Sequence, residues 1–370
     1  MKIGILTFHY AHNYGAVLQA YALKKYLSDL GHETSIIDYK NESIVKSYPY
    51  PLKPFIRKKD ILFPTHWVKI KQELIKTKLS KKEWHYQYQK FELFIKKYLS
   101  DLDEWESSIK HQDIIFFGSD QIWEPNLTGG YDPIYLGYFD TRAKKISYAA
   151  SCFSVTQNFS EFFQKGLNNF DHISVREEAL ASALSQVAKK EINVVADPVL
   201  LLNKEDYKPL IKKENDYKNY ILFYFVSENT ILRQISDYLR NQLGEKVIEI
   251  HYFRTPDTLN EWQKTDVGPE EFITLIYNAK QVFTNSFHGT AFSILFEKQF
   301  YTVSQNIRIL NLLEKLSLSD RNLKSLLSFQ TSDITCIQYE QIKKKKENYL
   351  KQSKDYINMV LNMESSKGEY

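Results

Sequence analysis

Residues 1–39 read MKIGILTFHYAHNYGAVLQAYALKKYLSDLGHETSIIDY, and this stretch decides the fold class. Ile3 to Phe8 is a short apolar run of strand type, and His9 to Asn13 is a polar turn followed by Gly15. From Ala16 the apolar period becomes helical. Leu18, Tyr21, Ala22, Leu27 and Leu30 form a broad stripe that Gly31 ends. Thr34 to Tyr39 then reads as a second strand. Strand, glycine-containing turn, helix and strand make a βαβ unit, which pairs its strands in parallel through a right-handed crossover.

The pattern recurs along the chain. Asp113 to Phe117 enters Gly118 and Ser119, and Lys145 to Ala150 enters Ser151. Ile173 to Val175 precedes Arg176 and a helix beginning near Glu177, while Asn193 to Val195 enters Ala196-Asp197-Pro198. Short unbroken apolar runs are what a parallel sheet covered on both faces requires. Residues 41–109 interrupt the alternation with Pro49, Pro51, Pro54 and Pro64, then a Lys-, Glu- and aromatic-rich stretch from Trp67 to Leu99. They read as a loop and helices inserted between the second and third strands. The polar, Lys-rich run KEDYKPLIKKENDYKN (204–219) marks a boundary.

Beyond it come a strand at Tyr220–Val226, a helix through Ile231–Leu239 and a strand at Lys246–His251. A helix at Glu270–Ala279, a strand at Gln281–Thr284, a helix through Phe292–Phe296 and a strand at Phe300–Val303 follow. The expected architecture is therefore α/β, with two Rossmann-like domains facing across a cleft. The first spans 1–205 with its insertion at about 41–109, and the second spans 206–335. Residues 336–370 read as a C-terminal strand or helix with a polar tail, solvated because of the KKKK run at 343–346. Ligands of such sheets sit beyond the carboxyl ends of the strands.

The chain has 370 residues, 43% of them hydrophobic and 25% charged, which excludes a disordered or collagenous protein. A net charge of +4 is too slight to predict nucleic-acid binding and is compatible with a small anionic substrate. Two cysteines, Cys152 and Cys336, make neither a disulfide framework nor a cysteine zinc site, and the nine histidines show no metal-ligand spacing. No metal and no cofactor are expected. No apolar run approaches the roughly 18 residues of a membrane span, and the start lacks a signal-peptide layout. The expected compartment is the cytoplasm.

The strand exits carry the candidate chemistry. Asn13 caps the first helix and Gly15 permits close backbone approach, so an anion is well placed against the free amides there. Neither a dinucleotide fingerprint nor a P-loop is present. His9 and His12 read at least as readily as structural. Gly118-Ser119-Asp120-Gln121-Ile122-Trp123 offers a hydroxyl, a carboxylate, a carboxamide and an indole, which suits either a sugar or a capped helix start with Trp123 packed. Arg176 points either into the cleft or at its neighbours Glu177 and Glu178. Asp197-Pro198 offers a carboxylate to a substrate hydroxyl, but it reads first as ordinary strand-to-turn punctuation. The strongest local signal is Thr284-Asn285-Ser286-Phe287-His288-Gly289-Thr290, which has more polar side chains than a cap uses. His288 suits proton transfer, the plain alternative being a core histidine. Asn306, Arg308 and Arg321 offer further groups to an anion.

Taken together, these stretches resemble the polysaccharide pyruvyl transferase family over roughly residues 1–325. The resemblance rests on TFHYAHNYGAVLQAYAL (7–23), FFGSDQIW (116–123), KKISYAAS (144–151), ISVRE (173–177) and VVADPVLLL (194–202). It continues through VGPEEFITLIYNAKQVFTNSFHGTAFSILFEKQF (267–300) and NIRILNLLEKL (306–316) to Asp320-Arg321. It implies a fold similar to the GT-B glycosyltransferases. It further implies a phosphoenolpyruvate donor on the second-domain side and a sugar acceptor from a capsular, exopolysaccharide or cell-wall precursor on the first. The product would be a cyclic pyruvate ketal, with phosphate leaving.

The family's histidine falls on His288 and its arginine on Arg176, as the catalytic pair. A basic residue two positions before the histidine is replaced here by Ser286, leaving the donor to Arg308 or Arg321 with Ser286, Asn285 and Gly289. Asn13, Gly15, Ser119, Asp120, Gln121 and Trp123 are the expected acceptor side. Phosphoenolpyruvate is then a co-substrate, and the partners are a free or lipid-linked sugar and other polysaccharide-assembly enzymes. That substrate class also suggests contact with the inner membrane face. Two alternatives share the architecture. One is a glycosyltransferase with a nucleotide-sugar donor, and the other is a non-catalytic scaffold in which Arg176 and His288 do not converge.

Overall fold

The computed structural model describes residues 1–54, 56, 66–99, 105–153, 159–212, 217–253, 260, 262–330 and 336–365. Strands β1 (Lys2–Leu6), β2 (Glu33–Ile36), β3 (Ile114–Phe117) and β4 (Lys144–Ser147) form a parallel sheet in the order β2-β1-β3-β4. Strands β5 (Ile173–Val175) and β6 (Ile192–Val194) pair in parallel and continue it. The bridges Ile146–His172 and Ala150–Val175 tie β5 to the β4 edge. The second sheet holds β7 (Ile221–Tyr224), β8 (Val247–Ile250), β9 (Gln263–Lys264), β10 (Gln281–Thr284) and β11 (Gln299–Thr302). Its order is β11-β10-β7-β8-β9, again with every pair parallel. All four residues of β3 and of β7 are buried, because helices cover both faces of each sheet.

The Tyr14–Asp29 helix connects the two halves. Asn13 accepts from the amides of Gly15 and Ala16, capping it as the sequence predicts. Tyr14 then leaves its own domain: its ring stacks on Phe272 at 4.4 Å and its hydroxyl donates to the Val267 carbonyl at 2.8 Å. One apolar cluster accordingly runs from Ile5 and Ile114 of the first sheet to Leu222 and Val282 of the second. The inserted region contributes a short helix, Glu42–Ser47, and a single 32-residue helix, Trp67–Tyr98. The long helix spans both domains, pairing Glu92 with His12 on one side and Lys90 with Glu271 on the other, each at 2.8 Å.

The C-terminal helix, Tyr339–Ser365, differs from its expected solvated form, and no strand precedes it among residues 336–338. Ser353, Tyr356, Ile357 and Val360 follow helical spacing and are buried against the first domain. The lysines of 343–346 dominate the sequence there and hide that stripe. Tyr356 donates to the Ser147 carbonyl at 3.0 Å, and the Ala196 amide donates to Ser353 Oγ at 2.7 Å. Among the described residues no helix is long and apolar enough to cross a membrane.

Ser353→Ala leaves the buried Ala196 amide without an acceptor. The expected cost is about 1–3 kcal/mol, read as a lower urea midpoint with an unchanged slope. An unchanged midpoint would mean that the bond carries no stability.

Candidate active site

The segment after β6 places the central charge of the site. Asp197 is fully buried, and its Oδ1 accepts from the Val199 amide at 3.0 Å as the cap of a short 3-10 turn, Pro198–Leu200. Its Oδ2 receives three groups from three other segments. Arg176 Nη1 lies at 2.5 Å, Ser119 Oγ at 3.3 Å and His288 Nε2 at 3.5 Å. The last is an electrostatic contact without hydrogen-bond alignment. Burial alone would raise the Asp197 carboxyl, but His288 and Arg176 outweigh it and hold the group well below the usual carboxylate range.

Arg176 leaves the end of β5 and is itself buried, with Nε 3.3 Å from Glu177 Oε1 and the guanidinium 4.8 Å above the Phe287 ring. Burial opposes its charge, yet Glu177 and Asp197 more than compensate and keep it protonated. Its Nη2 has no hydrogen-bond partner among the described residues. Glu177 is held in turn by Ser151 Oγ at 2.6 Å. Arg308 comes from the second domain, at the start of the Ile307–Lys315 helix, where Asn306 Oδ1 accepts from its amide and its Nε. It has no carboxylate partner within ion-pair distance among the described residues. Burial, and then the like charge of Arg176, pull its guanidinium down to about 10. An anion between the two arginines would relieve that repulsion.

Of these groups His288, Asn306 and Arg308 line a cavity of about 250 Å³ between the domains, whereas Asp197, Arg176 and Glu177 are not part of its lining. The first domain lines it with Asn13, Tyr48, Asp120 and Gln121, and the second with Tyr224, Asn285, Ser286, His288, Asn306 and Arg308. The domains meet closely here because position 15 is glycine. A Cβ there would stand 2.0 Å from His288 Nδ1. Gly118 is equally constrained: its φ is +110°, and a Cβ would meet the Tyr148 carbonyl at 2.6 Å.

Several expected site residues lie elsewhere or have their polar groups engaged by the fold. Trp123 is a core residue, buried among Phe163 and Phe170 with its indole donating to the Tyr135 carbonyl at 3.0 Å, so it offers no stacking face. Ser119 is fully buried and serves Asp197. Gly289 packs under Thr284 and Tyr224 and donates to Ser286 Oγ, closing the helix cap. Asn285 lines the cavity while its amide bonds the Val226–Ser227 segment. Arg321 is outside the cavity, 3.0 Å from Asp320 and over the Tyr301 ring, because the Ser319–Arg321 turn packs it against the far edge of the sheet. His9 and His12 are tied to Asp38 and Glu92. Asp197 is the residue that sequence reasoning passed over, since Asp-Pro after a strand looks the same whether or not its carboxylate is buried. Tyr48 and Phe287 carry no signal beyond their aromaticity. Among the described residues no group of three or more His, Cys, Asp or Glu is arranged to hold a metal.

A model of the polysaccharide pyruvyl transferase family matches residues 13–306. The chain belongs to this family. That match makes it a transferase acting in polysaccharide biosynthesis and includes Arg176, Asp197 and His288. No curated protein matches the sequence. Among solved structures, a UDP-N-acetylglucosamine 2-epimerase is similar at 11% identity over 99% of this chain and 96% of that one, with a TM-score of 0.53. The UDP-GlcNAc 2-epimerase of Neisseria meningitidis, bound to UDP-GlcNAc, is similar at 10% identity over 98% and 100%, with a TM-score of 0.51. At such identities the likeness concerns the fold alone: this pyruvyl transferase family member has the GT-B arrangement of two Rossmann-like domains.

Asp197→Asn leaves Arg176 buried with one carboxylate partner, so the variant should lose about 3–5 kcal/mol at pH 7. Because the folded carboxyl is held low, its contribution is complete above the unfolded-state value of about 3.9 and drains as pH falls below it. Urea melts of both proteins should therefore differ most at neutral pH and converge in acid. A gap that stays constant with pH would contradict this assignment.

Proposed function

We propose that the protein transfers the pyruvyl group of phosphoenolpyruvate onto two hydroxyls of one sugar in a surface-polysaccharide precursor, forming a cyclic ketal and releasing phosphate. The observation that carries the reading is the Arg308 cation, which lines the cavity together with His288 and has no carboxylate partner among the described residues. A guanidinium fork suits carboxylate and phosphate oxygens, and phosphoenolpyruvate carries both. A volume near 250 Å³ lies below the roughly 300–1,000 Å³ common for larger ligands and favours a small donor.

In this reading Arg308 supplies the charge that the family places two positions before the histidine. Ser286 is occupied as a helix cap, accepting from the Gly289 amide at 3.1 Å. His288, facing Asp197 at 3.5 Å, gives a proton to the donor's methylene carbon, which becomes a methyl group as C2 turns electrophilic. A sugar hydroxyl forms a bond to C2 and gives its proton to the imidazole that His288 has become. The C2–O bond to phosphate breaks, the second hydroxyl closes the ring, and its proton leaves with the phosphate. Arg176 and Arg308 stabilise the negative charge that gathers on phosphate. Asn13, Asp120 and Gln121 face the cavity from the first domain and are assigned to the acceptor.

A scaffold would need no convergence of Arg176 and His288, yet both reach Asp197 Oδ2.

Calorimetry with phosphoenolpyruvate should give saturable binding that Arg308→Ala weakens about tenfold to a hundredfold, the loss of one or two charge-assisted bonds. His288→Ala should keep binding within a fewfold and abolish phosphate release in the presence of acceptor. No binding by the native protein at millimolar donor, with or without sugar acceptor, would sink the reading.

A further inference from the structure

We propose that the N-terminal half of the Trp67–Tyr98 helix is a docking surface for an anionic lipid bilayer. The proposal stands apart from the donor assigned above. Residues 67–82, WVKIKQELIKTKLSKK, carry six lysines against one glutamate. In the folded protein Glu73, Ser80 and Trp84 turn toward the molecule, where Trp84 stacks on Phe253 at 5.4 Å and donates to the Pro49 carbonyl at 3.1 Å. The opposite face is left to solvent with an unusual composition. Trp67, Val68, Leu74 and Ile75 are 62%, 69%, 49% and 37% exposed. Lys71, Lys78 and Lys82 share that face at helical spacing, exposed and without a carboxylate partner among the described residues.

Large apolar side chains at this exposure cost free energy in water and mark an interaction surface when they cluster. Lysines interleaved among them decide what the partner is. Their stems lie along an apolar layer while their ammonium groups reach an anionic plane, and tryptophan prefers that boundary. A second copy of the chain does not fit, since it would bring the same lysines face to face. A nucleic acid satisfies the charge and leaves Leu74 and Ile75 without an apolar partner. A bilayer containing acidic headgroups satisfies both.

The helix is rigidly joined to the cleft. Tyr88 stacks on Tyr50 at 4.2 Å and lies 4.3 Å from His12, next to the Ser47–Tyr48 wall of the cavity. Docking through residues 67–82 would thus set the orientation of the cavity mouth relative to the bilayer.

The test is co-sedimentation of the full chain with vesicles of phosphatidylcholine, with and without phosphatidylglycerol, across a salt series. Binding is expected only with phosphatidylglycerol and should fall as salt rises. At about 1 kcal/mol for each surface lysine, the triple variant Lys71→Gln, Lys78→Gln, Lys82→Gln should partition about a hundredfold less. Trp67→Ser with Leu74→Ser should also bind less, at every salt concentration. These side chains are exposed, and unchanged thermal midpoints would verify that the variants fold. Absence of binding to phosphatidylglycerol vesicles at low salt overturns the proposal, as does undiminished binding by the lysine variant. Dimerisation in solution that Trp67→Ser abolishes, or retention of an oligonucleotide without vesicle binding, would equally overturn it in favour of those occupants.

Discussion

Asp197 is a carboxylate with no access to water that holds an arginine from the first sheet and faces a histidine from the second. Taking charges out of water costs several kcal/mol per ion, and attraction repays this only where the geometry is fixed and the remaining valences are filled. The surroundings meet that condition. Oδ1 is capped by the Val199 amide, and the preceding residue is pinned on both sides, its amide by Ser353 and its carbonyl by the Tyr148 hydroxyl at 3.0 Å. The C-terminal helix therefore reaches the site without touching it, by fixing the backbone from which Asp197 projects.

A second constraint follows from the first. For His288 to stand within 3.5 Å of Asp197, the two domains must close until the His288 ring rests against the first turn of the Tyr14–Asp29 helix, which only a glycine at position 15 allows. Tyr14, the next residue back, fills the space below by stacking on Phe272, and the long inserted helix bridges the flank through Lys90 and Glu92. Closure, stacking and the polar cluster are consequently one arrangement. The acidic members, Asp197 and Glu177, pair with Arg176 away from the cavity lining, whereas Arg308 lines the cavity without a carboxylate partner among the described residues. Such polarity suits an anionic substrate and disfavours a neutral one.

The parallel strands and their order of appearance were legible because short unbroken apolar runs that end in polar or glycine turns differ from the longer period-3.6 stripes of the helices. The edge strand β9 has two residues, too few to leave a pattern. The site was legible in part. His288 and Arg176 stood out by chemical type at strand exits. Asp197 did not, because its meaning depends on the burial that three distant segments impose. Trp123 misled for the converse reason: an indole next to polar residues looks like a sugar platform until its ring is seen enclosed by Phe163 and Phe170. Arg308 and Arg321 are indistinguishable in sequence. Only the fold sends one to the cavity and the other to a turn beside Asp320.

The serine at position 286 follows from the same logic. Two helices, Phe287–Leu295 and Ile307–Lys315, start at the cavity, and their caps Ser286 and Asn306 both line it. Each start contributes partial positive charge from its free amides. A basic side chain at 286 would add a full charge but forgo the cap, which accepts from the Gly289 amide and steadies the turn carrying His288. With Arg308 arriving from the neighbouring helix, the cation is retained and the cap is gained. What matters to an anion is the position of the charge in space. Arg308 brings its charge to the cavity from a later helix.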